Sequence, residues 1–165
     1  MKRNETIKHV IYLILIVIWM VGVYKFSAEN GQKSSGTSTG ITIKIVNIIT
    51  GYKQITEEEK LELVQIIHPI IRKIAHYILY MAGGILIINY LDILKFDQKK
   101  KIIYSIIIGM LYAISDEIHQ YFVPNREMQI KDVFIDTLGI ITGVFLYITL
   151  KIILIKIFKK DKINI

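Results

Sequence analysis

Apolar residues gather into four long blocks in this chain, at 10–24, 74–91, 102–115 and 133–150, instead of recurring at the three- and four-residue spacing of a helix with one wet face. Such blocks predict helices surrounded by lipid, because only a helix or a closed barrel satisfies its own backbone hydrogen bonds where water is missing. The first block is flanked by Lys8 and Lys25, whose long stems can snorkel and lengthen the span. The third block is short. Its 14 uncharged residues rise about 21 Å, less than a hydrocarbon core of about 30 Å. Its helix must therefore continue through Asp116 and Glu117, which places both acids at the edge of the apolar layer. The fourth block opens at Asp132 and is broken only by Asp136. The expected fold is all-α: a four-transmembrane-helix bundle in one domain over 1–165, with spans near 8–26, 72–91, 102–120 and 132–151 and an extracytoplasmic insert at 27–69.

The connecting stretches carry their own signals. Residues 27–40, rich in Gly, Ser and Thr, read as a loop. The apolar run 41–49 is too short for periodicity to separate helix from strand. Thr56 followed by Glu59 has capping-box spacing and predicts a helix start, with Pro69 expected to kink that helix or begin a new one. Gly83-Gly84 and the Gly139/Gly143 pair predict close helix contacts, and Pro124-Asn125 predicts a turn. A secretory leader is the rival reading of the first block. Phe26 spoils the small-residue cleavage pattern, which favours a retained helix.

Composition supports the membrane reading, with 53% hydrophobic residues. The absence of cysteine excludes disulfides, thiolate metal sites and a cysteine nucleophile. The net charge of +7 does not point to nucleic acid, because the basic residues cluster at block ends and form no stripe. Their distribution predicts an orientation instead. The two termini and the turn at 92–101 hold 12 of the 21 lysines and arginines with four of the 14 acids, while the other side holds nine with ten acids. Basic residues favour the cytoplasm, so both termini are expected inside.

That orientation puts Arg72, Lys73, His76, Asp116, Glu117, Gln120, Arg126, Asp132 and Asp136 on the extracytoplasmic half. Arg72 and His76, Asp116 and Gln120, and Asp132 and Asp136 are each four apart, so each pair shares a helix face. Three polar faces can then meet in one crevice, with Arg72, Lys73 and Arg126 offsetting the carboxylates. Blander roles are open for several of them. Asp132 fits a helix N-cap, Lys73 and Arg72 fit interfacial anchors, and His76 alone fits a polar packing residue. Asp136, a full turn inside an apolar span, is the hardest to explain without a function or a partner. No metal site is assigned, since no tight pair of histidines occurs and nearby Arg and Lys compete with a cation. No serine stands in a nucleophile elbow, and the Gly-Ser-Thr stretch lacks a phosphate-loop pattern. No cofactor is called for.

The segments FSAENGQKSS at 26–35, IRKIAHYILY at 71–80 and YAISDEIHQYFVPNREMQIKDVFIDTLG at 112–139 resemble the VanZ-like family of membrane proteins, named for a teicoplanin-resistance protein. The nine polar residues above occupy the family's signature positions. Asn125 departs from a common glycine, and Tyr80 from a common Gly or Ala. The resemblance implies a multi-pass protein of the cell membrane, linked in some members to lowered glycopeptide susceptibility, and it supplies no established reaction. Two readings follow. In one, Arg72, Lys73, Gln120, Arg126, Asp132 and Asp136 bind an anionic, phosphate-bearing cell-envelope lipid headgroup, with Asp116, Glu117 and His76 as acid or base in any chemistry. In the other, the charges form a structural ion-pair network, and function lies in a partner protein or in excluding an antibiotic. Proton-coupled transport, the weakest reading, requires a homo-oligomer.

Overall fold

A computed structural model describes residues 3–28, 37–51, 56–124, 126 and 128–161. Five helices follow one another: α1 (Arg3–Ala28), α2 (Thr37–Ile49), α3 (Glu57–Ile93), α4 (Gln98–Tyr121) and α5 (Ile130–Asp161). There is no strand among the described residues. Four helices are long and apolar enough to cross a membrane: Asn4–Ala28, Glu58–Ile93, Gln98–Tyr121 and Ile130–Phe158.

Their ends follow local chemistry. At the start of α3, the Thr56 hydroxyl accepts from the Glu59 amide at 3.2 Å, and the Glu59 carboxylate accepts from the Thr56 amide at 2.9 Å. The capping box is thus complete, and Pro69 does not end the helix that it starts. With 37 residues, α3 is about 55 Å long, so its acidic first turns extend well beyond a membrane-thick layer. It stops at Leu94, where Phe96 N–H reaches the Leu91 carbonyl and Lys95, at φ 61°, reaches that of Asp92. Asp97 then caps α4 by accepting from the amides of Lys99 and Lys100. As the shortness of the third block requires, α4 runs on past Asp116 and Glu117 to Tyr121.

Two expectations need correction. Residues 37–40, read as loop, form the first turn of α2, and the helix-or-strand question at 41–49 resolves as helix. Here α2 packs on α3 with Thr42 and Val46 buried, so tertiary contact decides what propensity leaves open. Asp132 is not an N-cap either: α5 begins two residues earlier, which puts this carboxylate in its first turn. Asn125 of the expected turn lies outside the described residues.

Contacts give the topology. Met20 and Ser27 of α1 meet Tyr112 and Asp116 of α4, whereas His9 meets Tyr90 near the far end of α3. So α1 and α4 run one way, α3 and α5 the other. The α3–α5 pair is the closest, because α5 places glycines where α3 presents backbone. A Cβ on Gly139 would meet the Tyr77 carbonyl, one on Gly143 the Met81 carbonyl, and one on Gly84 the Ile140 carbonyl of α5. Trp19, Val23, Tyr80, Ile87, Ile88, Leu91, Ala113, Ile140 and Val144 fill the interior. Most other large apolar side chains face outward on every long helix, an arrangement that water would penalise and lipid tolerates. At the end of the bundle where α3 stops, Asp92 binds Lys101, Lys151 and the Tyr147 hydroxyl, tying α3, α4 and α5 together.

Candidate functional site

The opposite end, where α1 and α4 finish and α5 starts, holds all nine polar residues singled out in the sequence. The i,i+4 pairs on three helices order them into two levels, one helical turn or about 6 Å apart. In the outer level, Arg72 Nη2 and Arg126 Nη1 donate to the same acceptor, Gln120 Oε1, at 3.0 and 3.2 Å. Lys73 donates to Asp132 Oδ1 at 2.6 Å, joining α3 to α5. In the inner level, His76 Nδ1 stands 3.7 Å from Asp136 Oδ2, an ion-pair separation too long for a hydrogen bond. Asp116 joins them from α4. Its Oδ2 accepts from Ser27 Oγ at 2.7 Å and from Gln120 Nε2 at 3.1 Å, so Gln120 links the two levels.

Glu117 turns aside from this axis. Its Oε2 accepts from the Gln129 amide at 2.9 Å and so holds the segment that leads into α5. The ring of Phe26 covers His76 at a centroid distance of 5.3 Å, and Tyr80 stacks on its other side at 6.3 Å. Arg72, Lys73, His76, Glu117, Gln120, Asp132, Ile135 and Asp136 line a cavity of about 10 Å³, which is space for one water or one small ion. A group as large as a phosphate does not fit inside it.

The pairing of Arg72 differs from the simple offset against the acids expected of it, while that of Lys73 follows it. Arg72 and Arg126 both address a neutral amide oxygen, and Lys73 takes the outer carboxylate. The inner level keeps two carboxylates against one imidazole. Asp136 is 1% exposed, Asp116 3% and His76 6%. Both Asp136 oxygens, Asp116 Oδ1 and His76 Nε2 are buried without a hydrogen-bond partner among the described residues. One donor atom from each of these three side chains lies within 4.8 Å of the others, which makes them the residues able to hold a metal ion.

Ser27 and Tyr80 join the site without having been singled out for it. Ser27 sits in the last turn of α1, not in a loop, and is fully buried against Asp116. Tyr80 is also fully buried, its hydroxyl unpaired among the described residues. Neither carries charge, so a charge inventory passes over both.

The VanZ/LLP1 family model matches residues 10–154. The chain belongs to that family. No curated protein and no solved structure matches it. In this VanZ/LLP1 protein the match takes in every residue of both levels and all four long helices, from Val10 of α1 to Leu154 of α5.

Proposed function

We propose that this VanZ/LLP1 protein lies in the cell membrane with both termini in the cytoplasm and binds an anionic cell-envelope lipid headgroup at the mouth of the polar cavity. The reading rests chiefly on the convergence of two guanidinium groups, Arg72 and Arg126, on one neutral oxygen of Gln120. Two guanidinium groups brought to one oxygen, with Arg126 also reaching the Phe26 carbonyl at 3.4 Å, repel each other as like charges. A phosphate there, with several acceptor oxygens and negative charge, stabilises both. Lys73 adds a third cation at the rim, with its side chain 39% exposed. The charge asymmetry of the loops supports an outward-facing mouth, at the leaflet where glycopeptides act. Altered susceptibility to a teicoplanin-type antibiotic is the physiological consequence expected of a site occupied there. Native mass spectrometry of the detergent-purified protein with phosphatidylglycerol and phosphatidylcholine tests the reading. Wild type should retain the anionic lipid preferentially, and Arg72→Gln/Arg126→Gln should lose that preference by at least about tenfold, given about 1.5–3 kcal/mol per charged hydrogen bond. Equal retention by a variant that melts as a folded protein rejects it.

The structural-network reading has its own support, since Lys73–Asp132 and His76–Asp136 both join α3 to α5. The informative exchange is Lys73→Asp with Asp132→Lys, because Arg72 contacts Gln120 and not an acid of α5. Restored stability together with restored lipid preference favours the network; restored stability alone favours the binding site.

A further inference from the structure

We propose that His76, Asp116 and Asp136 form a binding site for one divalent transition-metal ion of the Mn²⁺ or Zn²⁺ type, beneath the outer basic level. The first ground is charge. Two carboxylates at least 97% buried lie close to one imidazole, and groups removed from water in this way need a cation or a proton to offset their charge. The neighbouring basic groups of α3 are engaged one turn away, Lys73 with Asp132 and Arg72 with Gln120. The second ground is valence. His76 Nε2, Asp116 Oδ1 and both Asp136 oxygens are buried and have no hydrogen-bond partner among the described residues. Native interiors rarely leave such atoms together, and an ion would take up one donor from each of the three side chains.

Geometry and donor type agree. Two donors on bonds of about 2.0–2.2 Å to one ion stand about 3.4–3.6 Å apart, so these three, within 4.8 Å of one another, must draw together by up to about 1.4 Å, a distance that side-chain rotation can supply. The adjoining cavity of about 10 Å³, lined by His76 and Asp136 and not by Asp116, gives a single ion or water access to two of the three side chains. One imidazole with two carboxylates is a mixed nitrogen and oxygen set, which suits Mn²⁺ or Zn²⁺ better than Ca²⁺ or Cu⁺. Three protein ligands leave at least one coordination position free. The groups behind the ligands are also placed as a metal site requires. Ser27 and Gln120 donate to the Asp116 oxygen that would not be needed for the ion, fixing the orientation of the other.

The site stands apart from the lipid reading and is tested without lipid. Full-length protein in detergent is stripped with a chelator and titrated with Mn²⁺ under electron paramagnetic resonance, with Zn²⁺ as competitor. The expected result is one bound Mn²⁺ per chain, displaced by Zn²⁺, with a nitrogen coupling that His76→Gln removes. Asp136→Asn should abolish binding and Ser27→Ala should weaken it by about 10–100-fold, while Asp97→Asn at the far end should leave it unchanged. Folded wild type that takes up neither metal at millimolar concentration overturns the proposal. So does an unchanged nitrogen coupling in His76→Gln. The wild-type titration decides even where a variant fails to fold, and its outcome does not depend on whether phosphatidylglycerol is retained.

Discussion

Gln120 carries more of the cluster than any charged residue in it. Its oxygen accepts from Arg72 and Arg126, and its nitrogen donates to Asp116. Gln120→Leu keeps the volume and removes these contacts, with a longer one to Ser27 at 3.5 Å, so a loss of about 2–3 kcal/mol is expected in detergent melts, the penalty of leaving charged partners unsatisfied. Lys73→Gln should cost no more than about 1 kcal/mol despite the short contact, because that pair is partly in water. A smaller effect for Gln120→Leu than for Lys73→Gln would contradict this ranking. Charge made the acids and bases easy to find in the sequence, and four-residue spacing gave their shared faces. It did not give the partners. That two arginines meet at one amide oxygen depends on α4 and the segment before α5 arriving at one point, and no local pattern encodes that. Spacing along one helix also cannot bring out His76, Asp116 and Asp136 as a group, since they come from three helices.

At the scale of elements, helix α3 is held against α5 by missing side chains. Gly143→Ala drives a methyl group into the Met81 carbonyl and should destabilise by about 1–3 kcal/mol. Gly22→Ala on α1, where nothing lies within 4 Å, should have the opposite sign, a gain of about 0.5–1 kcal/mol from helix propensity. Two melting curves check the contrast. The start of α4 supplies a pH dependence. The Lys100 amide, with the Lys100 charge and the Lys99 amide, holds the exposed Asp97 carboxyl below its usual range. A lowered acid contributes stability that is present above its unfolded value of about 3.9 and lost as pH falls through the folded one. Melting temperature should therefore drop more steeply below about pH 4 in wild type than in Asp97→Asn, which retains a cap without a titrating charge. The capping box of α3 was legible because both partners lie within one turn. The helical state of α2 was not, because burial of Thr42 and Val46 against α3 decides it.

For the whole molecule, the blocks of apolar residues announced four helices, and the topology brought together residues 48 positions apart at Arg72 and Gln120 and 89 apart at Ser27 and Asp116. Sidedness is the remaining expectation. Because the chain lacks cysteine, one introduced at Phe122, 75% exposed beyond the end of α4, should react with an impermeant thiol reagent on intact cells. One at Phe96, in the turn between α3 and α4, should react only after lysis. The reverse pattern would turn the polar mouth toward the cytoplasm and remove the link to the outer leaflet. The two stacked levels of the cluster carry a further consequence. A headgroup phosphate above and a metal ion below would sit about one helical turn apart, each serving as the other's counterion. At about 6 Å and an effective dielectric of about 20, a unit pair gains roughly 3 kcal/mol. Thermodynamic reciprocity then requires that whatever factor the metal adds to lipid affinity, the lipid adds to metal affinity. Such a protein would report on two features of the envelope, its anionic lipid and its divalent ions, through a single joint occupancy.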